Sequence, residues 1–311
     1  MSEQVTDGVL VTGANGHLGR LLIRALAHDP EAVPVRAVVR SERAARSLDD
    51  LPHPERRDVR IVDYRDRAGL TEAARGCGTA IHLVGILKQT RVNRYVDAHE
   101  RPAEALSAAC AEAGVSRIVH TSILGADPAS RNGCLASRGR TDEILLASPV
   151  PAVILRVPMV LGPGDPATDA LRRQATAGRT SLVRGGAAVQ QPIAAADVMS
   201  ALLAAARPGM PSDTVVELGG PESLTHRALV ERTAAVLGAD VRFGTTPLFA
   251  AHAFAWLAET LFADPPLTRD MLGVLEQDDA IDPEPARAML GIELTSLDAA
   301  LRAAFAEESA P

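Results

Sequence analysis

Val9-Leu10-Val11-Thr12-Gly13-Ala14-Asn15-Gly16-His17-Leu18-Gly19 is a short apolar run, a glycine-rich turn and the opening of a helical pattern. The order predicts a strand, a tight turn and a helix. Gly13 lets the chain turn sharply, Gly16 lets the backbone approach a phosphate, and Gly19 lets the helix pack closely on the strand. A helix N-terminus offers unpaired N–H groups and a partial positive charge, so the stretch suits a nucleotide pyrophosphate. A plain strand-turn-helix connection is the competing reading. The strand before the glycines and the helix after them are the context that a nucleotide site needs.

Outward from this turn, strand and helix signals alternate. Strands are predicted at Val9–Thr12, Val35–Val39, Val59–Val62, Ala80–Val84, Arg117–Thr121 and Ala152–Arg156. Helices are predicted at Leu18–His28, stopped by Pro30, at Leu70–Arg75, and at Pro102–Ala113, closed by Gly114. Another ends over Asp142–Ala147. Apolar strands alternating with amphipathic helices predict a parallel sheet covered on both faces. Beyond Pro163 the pattern loosens: helices over Thr168–Ala177 and up to Ala206, a strand at Val215–Leu218, a helix capped by Thr225 and running to Leu237, and an apolar helix at Pro247–Phe262.

Composition narrows the function. A chain of 311 residues can bury a large core, as one α/β unit plus a smaller lobe. The net charge of −7 argues against a nucleic-acid partner. Lys88 is the only lysine. Cys77, Cys110 and Cys134 lack metal-ligand spacing, and their odd number points to reduced thiols in a cytoplasmic protein. Met1 to Gly8 do not read as a signal peptide. No apolar window reaches the roughly 18 residues of a membrane span.

With six strands placed, the chain resembles the short-chain dehydrogenase/reductase superfamily in its extended and atypical branches. The carrying residues are the glycine turn, Ile81-His82-Leu83-Val84-Gly85, His120-Thr121-Ser122, Arg156-Val157-Pro158 with Gly162-Pro163-Gly164-Asp165, Gln191-Pro192-Ile193 with Asp197-Val198, and Glu217-Leu218-Gly219-Gly220-Pro221. The set is most similar to the subfamily related to the complex I accessory subunit NDUFA-nine, and less so to NmrA-like NADP sensors. The resemblance implies a Rossmann-type doubly wound parallel sheet binding NAD(P)H across its C-terminal edge, with a small C-terminal α/β substrate lobe. The binding domain is then residues 1–165, its sheet completed by about 189–218. The lobe comprises 166–188 and 219–311.

For the cofactor, Thr12, Gly13, Asn15, Gly16, His17, Leu18 and Gly19 form the phosphate turn. An acid at the end of the second strand would bind the ribose 2′-OH of NAD, whereas an arginine accepts the 2′-phosphate of NADP. The chain has Val39-Arg40 there, so NADP(H) is preferred over NAD(H), with a solvated strand-end charge as the alternative for Arg40. Asp63 and Tyr64 resemble the family's adenine-edge residues; a turn-capping aspartate is the other reading of Asp63. Val84 and Gly85 are expected along the cofactor, and Val157 and Pro158 beside the nicotinamide.

The superfamily's chemistry uses a Tyr-x-x-x-Lys pair and a Ser or Thr, in which the ammonium lowers the phenol pKa for proton exchange during hydride transfer. Ser122 matches the serine. Aligning by Glu143 places Cys134 at the tyrosine and Arg138 at the lysine. Arg138 one turn from Cys134 suits a thiolate; the alternative is loss of the standard acid, with a small residue lining the pocket. Lys88 and His99 are further candidate proton carriers. His82 and His120, within strands, read as core histidines whose hydrogen bonds are satisfied. Phe249, Phe254, Trp256, Leu257, Leu261 and Phe262 read either as the lobe's own core or as an apolar substrate pocket or a quinone- or lipid-facing surface. The helix carrying them has no Lys or Arg, so a membrane role would have to come through a partner.

Two functions follow. One is an NADP(H)-dependent oxidoreductase acting on a small or medium apolar substrate. The other is a non-catalytic NAD(P)H-binding sensor or accessory subunit with a protein partner or a second copy.

Overall fold

In the computed structural model, which describes residues 8–28 and 33–306, helices and strands alternate from the start. The first half comprises β1 (Gly8–Thr12), α1 (His17–His28), β2 (Val35–Val39), α2 (Glu42–Arg46), β3 (Arg57–Ile61), α3 (Arg67–Ala74), β4 (Cys77–His82), α4 (Tyr95–Ala98), α5 (Glu100–Ala113), β5 (Arg117–Ile123), α6 (Gly133–Leu146) and β6 (Ala152–Val157). Then follow β7 (Val160–Leu161), α7 (Pro166–Thr176), β8 (Arg179–Val183), β9 (Val189–Gln190), β10 (Ile193–Ala194), α8 (Ala195–Ala206), β11 (Thr214–Glu217), β12 (Leu224–Thr225) and α9 (His226–Leu237). The chain ends through β13 (Arg242–Thr246), α10 (Leu248–Leu261), α11 (Arg269–Leu275), α12 (Glu284–Leu290) and α13 (Leu297–Ala306). The expected stop at Pro30 and the expectation for residues 1–7 lie outside the described residues.

Seven parallel strands form the central sheet in the order β11-β6-β5-β4-β1-β2-β3. The order reverses between β1 and β4, where an open α/β sheet leaves a crevice at its C-terminal edge. Strand alternation sorts side chains onto two faces. Val11, Ala37, Val39, Ile81, Val119, Val153 and Leu155 pack in one core with α1 and α8. Leu10, Val38, Ala80, Ile118, Ala152 and Ile154 pack in a second with α3 and α5. Strands buried on both faces are near-continuous apolar runs, which is why the sequence shows them.

β11 comes from the chain beyond Pro163 yet completes the edge of the sheet against β6. A third core joins α7, α9 and α13 with β7 and β10. Thr225 caps α9 by accepting the Ala228 amide, and Gly238 closes that helix. The fourth strand is shifted from the expected Ala80–Val84: it begins straight after the turn at Gly76 and ends at His82. Val84 and Gly85 therefore lie in the loop past the strand. β13, paired with β8, was not read in the sequence, because Arg242-Phe243-Gly244-Thr245-Thr246 carries no apolar run.

Candidate dinucleotide site

Parallel strands bring Thr12, Arg40, Asp63, Val84, Ser122 and Val157 to one edge of the sheet. At its centre Gly13 takes a positive φ of 77°, which any side chain would resist, and a Cβ there would lie 3.0 Å from the Leu83 carbonyl. The Gly13 amide donates to the Tyr64 hydroxyl at 3.0 Å, and that hydroxyl donates to the Val38 carbonyl at 3.2 Å. A Cβ on Gly19 would strike the Ala14 carbonyl oxygen at 2.6 Å, so glycine lets α1 start this close to the turn. The first helical amide to bond back is that of Arg20, which donates to Gly16 at 2.9 Å. The amides of His17, Leu18 and Gly19 are left to face an anion, with Asn15 and Gly16 exposed beside them. The glycine cradle and these amides fit a dinucleotide pyrophosphate.

Arg40 stands exposed at the end of β2, its guanidinium 5.6 Å above the Tyr64 ring. With Asp63, Tyr64 and Val84 it lines a cavity of about 110 Å³. Two expected roles change here. Tyr64 is buried, and its hydroxyl braces the glycine turn rather than presenting an adenine edge. Asp63 accepts the Arg65 amide and grips the Arg65 guanidinium, which holds its carboxyl down at about 2, so its turn-capping reading applies. The Thr12 hydroxyl is turned inward, where it shares a 2.7 Å hydrogen bond with His82 Nδ1. His17 is partly buried against Gly162, and burial lowers its pKa. Leu18 packs on the core, Val157 is buried, and Pro158 follows it half-buried.

Among the described residues, no hydrogen bond joins Ser122 to Cys134 or to Arg138. Asn132 caps α6 by accepting the amides of Cys134 and Leu135, which sinks Cys134 fully into the core. Its Sγ lies 3.8 Å from the Ile86 carbonyl, and burial pushes the thiol up to about 11, against the opposing charge of Arg138. The thiolate reading is thereby corrected. Ser122 is buried and faces Asp142: burial raises the Asp142 carboxyl, and Ser122 and Arg156 oppose that rise. Asp142, which Ser122 faces, lies eight residues beyond Cys134, about 12 Å along the helix axis.

Arg138 donates to the Thr121 carbonyl at 3.3 Å, and its outer nitrogens lie over Gly85, filling the space a Cβ would occupy. Three histidines surround it. Burial first, and the Arg138 charge second, bring His82 and His99 down to about 3. Burial, with the neighbouring charges, also drives His120 far down. The His82 and His120 rings lie 5.0 Å apart, and His120 Nδ1 donates to the His82 carbonyl at 2.9 Å. Among the described residues each Nε2 is buried without a partner, so the expectation of fully satisfied core histidines holds only for Nδ1. His99 is buried and accepts the Ile86 amide at 3.0 Å. Lys88 is drawn to Asp264 and the Pro265 carbonyl. Sequence reading also missed the ion pair of Arg156 with Asp142 at 2.9 Å.

A family model described as NAD(P)H-binding matches residues 13–207. The ceramide reductase of Caulobacter vibrioides is 31% identical over 172 residues, 54% of this chain and 51% of that protein. Subunit 9 of the mitochondrial NADH dehydrogenase (ubiquinone) 1 alpha subcomplex of Arabidopsis thaliana is 29% identical over 237 residues, 72% of this chain and 57% of that protein. The chain thus spans about half the length of the curated relatives it matches. Among solved structures, the quinone oxidoreductase QOR2 of Escherichia coli complexed with NADPH has a TM-score of 0.71 at 22% identity, covering 94% of this chain and 98% of that one. MoeE5 in complex with UDP-glucuronic acid and NAD has a TM-score of 0.72 at 20% identity, covering 95% and 97%. These structures share the fold. The atypical short-chain dehydrogenase/reductase character read from the sequence fits the matches.

Proposed function

We propose that this chain, which belongs to the NAD(P)H-binding family, prefers NADP(H) over NAD(H) and is a reductase of apolar acceptors that need no side-chain acid. Bound reduced dinucleotide supplies the hydride. The amides opening α1 hold its pyrophosphate, Arg40 its 2′-phosphate, and Arg138 the ribose side of the reacting end. The proton that accompanies the hydride comes from solvent. A buried thiol near 11 and histidines near 3 are poor donors at neutral pH. That favours quinone-like or conjugated acceptors, whose reduced forms take up protons from water. The lobe of residues 166–188 and 219–311 closes over the acceptor. In support, Gln277 lies against Gly125 past the end of β5. The three buried free thiols fit a reducing, cytoplasmic setting.

The observation that carries the cofactor preference is Arg40, exposed at the end of β2, which itself ends without a carboxylate, while Asp63 across the cavity is held by Arg65. Isothermal titration with NADPH and NADH tests it. Arg40→Ala should weaken NADPH about tenfold and leave NADH unchanged, as expected for loss of one charge-assisted contact. Equal loss for both, or no binding by the parent, rejects the reading. NADPH oxidation with a quinone should show a flat rate between pH 6 and 9 if no side chain supplies the proton.

A second reading is a non-catalytic dinucleotide-binding subunit, favoured by the complete burial of both Ser122 and Cys134. Tight NADPH binding with no oxidation across quinones, enones and aldehydes selects it.

A further inference from the structure

α10 is arranged inside out. Its buried residues are Ala251, Ala255 and Ala258. Its large side chains face solvent: Phe249 is 78% exposed, Leu261 67% and Trp256 56%, with Phe254 and Leu257 also open. This corrects the reading of these residues as the lobe's own core. The two ionisable residues of the helix, His252 and Glu259, lie seven positions apart on the side that lines a cleft of about 850 Å³. Apart from Thr260, the rest of the outward surface is apolar, far more than scattered surface hydrophobes require.

The opposite wall of the cleft supplies the charge that α10 lacks. Arg91, Arg94 and Arg131 line it, and all three are exposed. Between the first two, Val92 is 94% exposed at the tip of its loop. The nearby carboxylates are already engaged: Glu259 with Arg269 at 2.8 Å, Asp264 with Lys88, and Asp270 with the Gly133 amide at 3.1 Å. Among the described residues, none of the three arginines has such a partner. A chain of net charge −7 therefore presents, at this one rim, uncompensated cations beside exposed aromatics.

From this juxtaposition we infer that α10 and the Arg91–Arg94 loop form a docking surface for an anionic phospholipid bilayer. Charge complementarity selects the occupant. A second copy seated symmetrically on this face would bring like charges together, whereas anionic headgroups pair with arginines while aromatic and aliphatic side chains enter the boundary beneath them. At 14 residues, α10 is about 21 Å long, which suits lying in the interface and not crossing it. The loop also reaches the dinucleotide edge, where Val92 and Asn93 line the cavity beside Arg40, but the inference needs no reaction there and stands without the proposed function.

Trp256 is the only tryptophan, so its emission reports the surface directly. The full chain is mixed with vesicles of phosphatidylcholine alone, or with 30% phosphatidylglycerol, and followed by Trp emission and by flotation. A blue shift and flotation with the anionic vesicles are expected, reduced by 0.5 M salt. Arg91→Glu with Arg131→Glu should lower partitioning at least tenfold. Phe249→Glu with Leu261→Glu should abolish it, with thermal unfolding unchanged because both residues are exposed. No binding to anionic vesicles overturns the inference. So does equal binding to both vesicle types, or a dimer in solution that Phe249→Glu dissociates.

Discussion

The Tyr64 hydroxyl takes the Gly13 amide at 3.0 Å and donates onward to the Val38 carbonyl at 3.2 Å, so one phenol ties the cofactor turn to the neighbouring strand. The Val38 carbonyl is interior and the Gly13 amide partly so, which limits the water that could replace the phenol. Tyr64→Phe should therefore cost about 1–3 kcal/mol of stability in denaturant unfolding. It should also weaken NADPH binding, because the turn loses its brace. Unchanged stability would show that the phenol is dispensable to the turn.

Gly19 tests the turn from the helix side. Alanine there drives its Cβ into backbone oxygens, which cannot swing away as a flexible side chain would. Gly19→Ala should displace the start of α1, destabilise the protein by about 1–3 kcal/mol as overpacking does, and abolish dinucleotide binding. Full NADPH affinity in a folded variant would contradict this account of the cradle.

The thiols should be silent. Cys134 near 11 has roughly one thiolate in a thousand at pH 8. Burial takes Cys110 up to about 12 and raises Cys77 as well. An aromatic disulfide reagent should label none quickly in native protein and all three after denaturation. Rapid native labelling at Cys134 would restore the thiolate.

Asp279 should make stability depend on pH. Burial raises its folded carboxyl to about 6, whereas the unfolded value is about 3.9. The folded state holds the proton more tightly, so this contribution is full below about pH 4 and is lost as pH rises through 6. Asp279→Asn should stabilise the protein at pH 7–8 by about 1–2 kcal/mol and change nothing near pH 4. Urea unfolding at both values checks the sign.

Much of the fold was legible because its signals are local. The alternation that sends Leu10 to one core and Val11 to the other is written in five adjacent residues. Thr225 and Gly238 bracket α9 by short-range chemistry alone. β13 was missed because a surface strand of mixed residues has no periodic signature. The site was half legible. The glycine turn and Arg40 stand where their strand ends place them. The trio of Ser122, Cys134 and Arg138 was implied by the family resemblance, which does not say which face of β5 the Ser122 hydroxyl takes.

By itself, the sequence determined a parallel α/β sheet with a glycine turn at its C-terminal edge, since strand period, helix caps and glycine all act within a few residues. Only the tertiary structure decided that Tyr64 braces that turn, that Cys134 is sealed from solvent, and that the aromatics of α10 face outward beside Arg91, Arg94 and Arg131. Those outcomes depend on which distant segments meet, and burial and charge pairing are properties of the meeting.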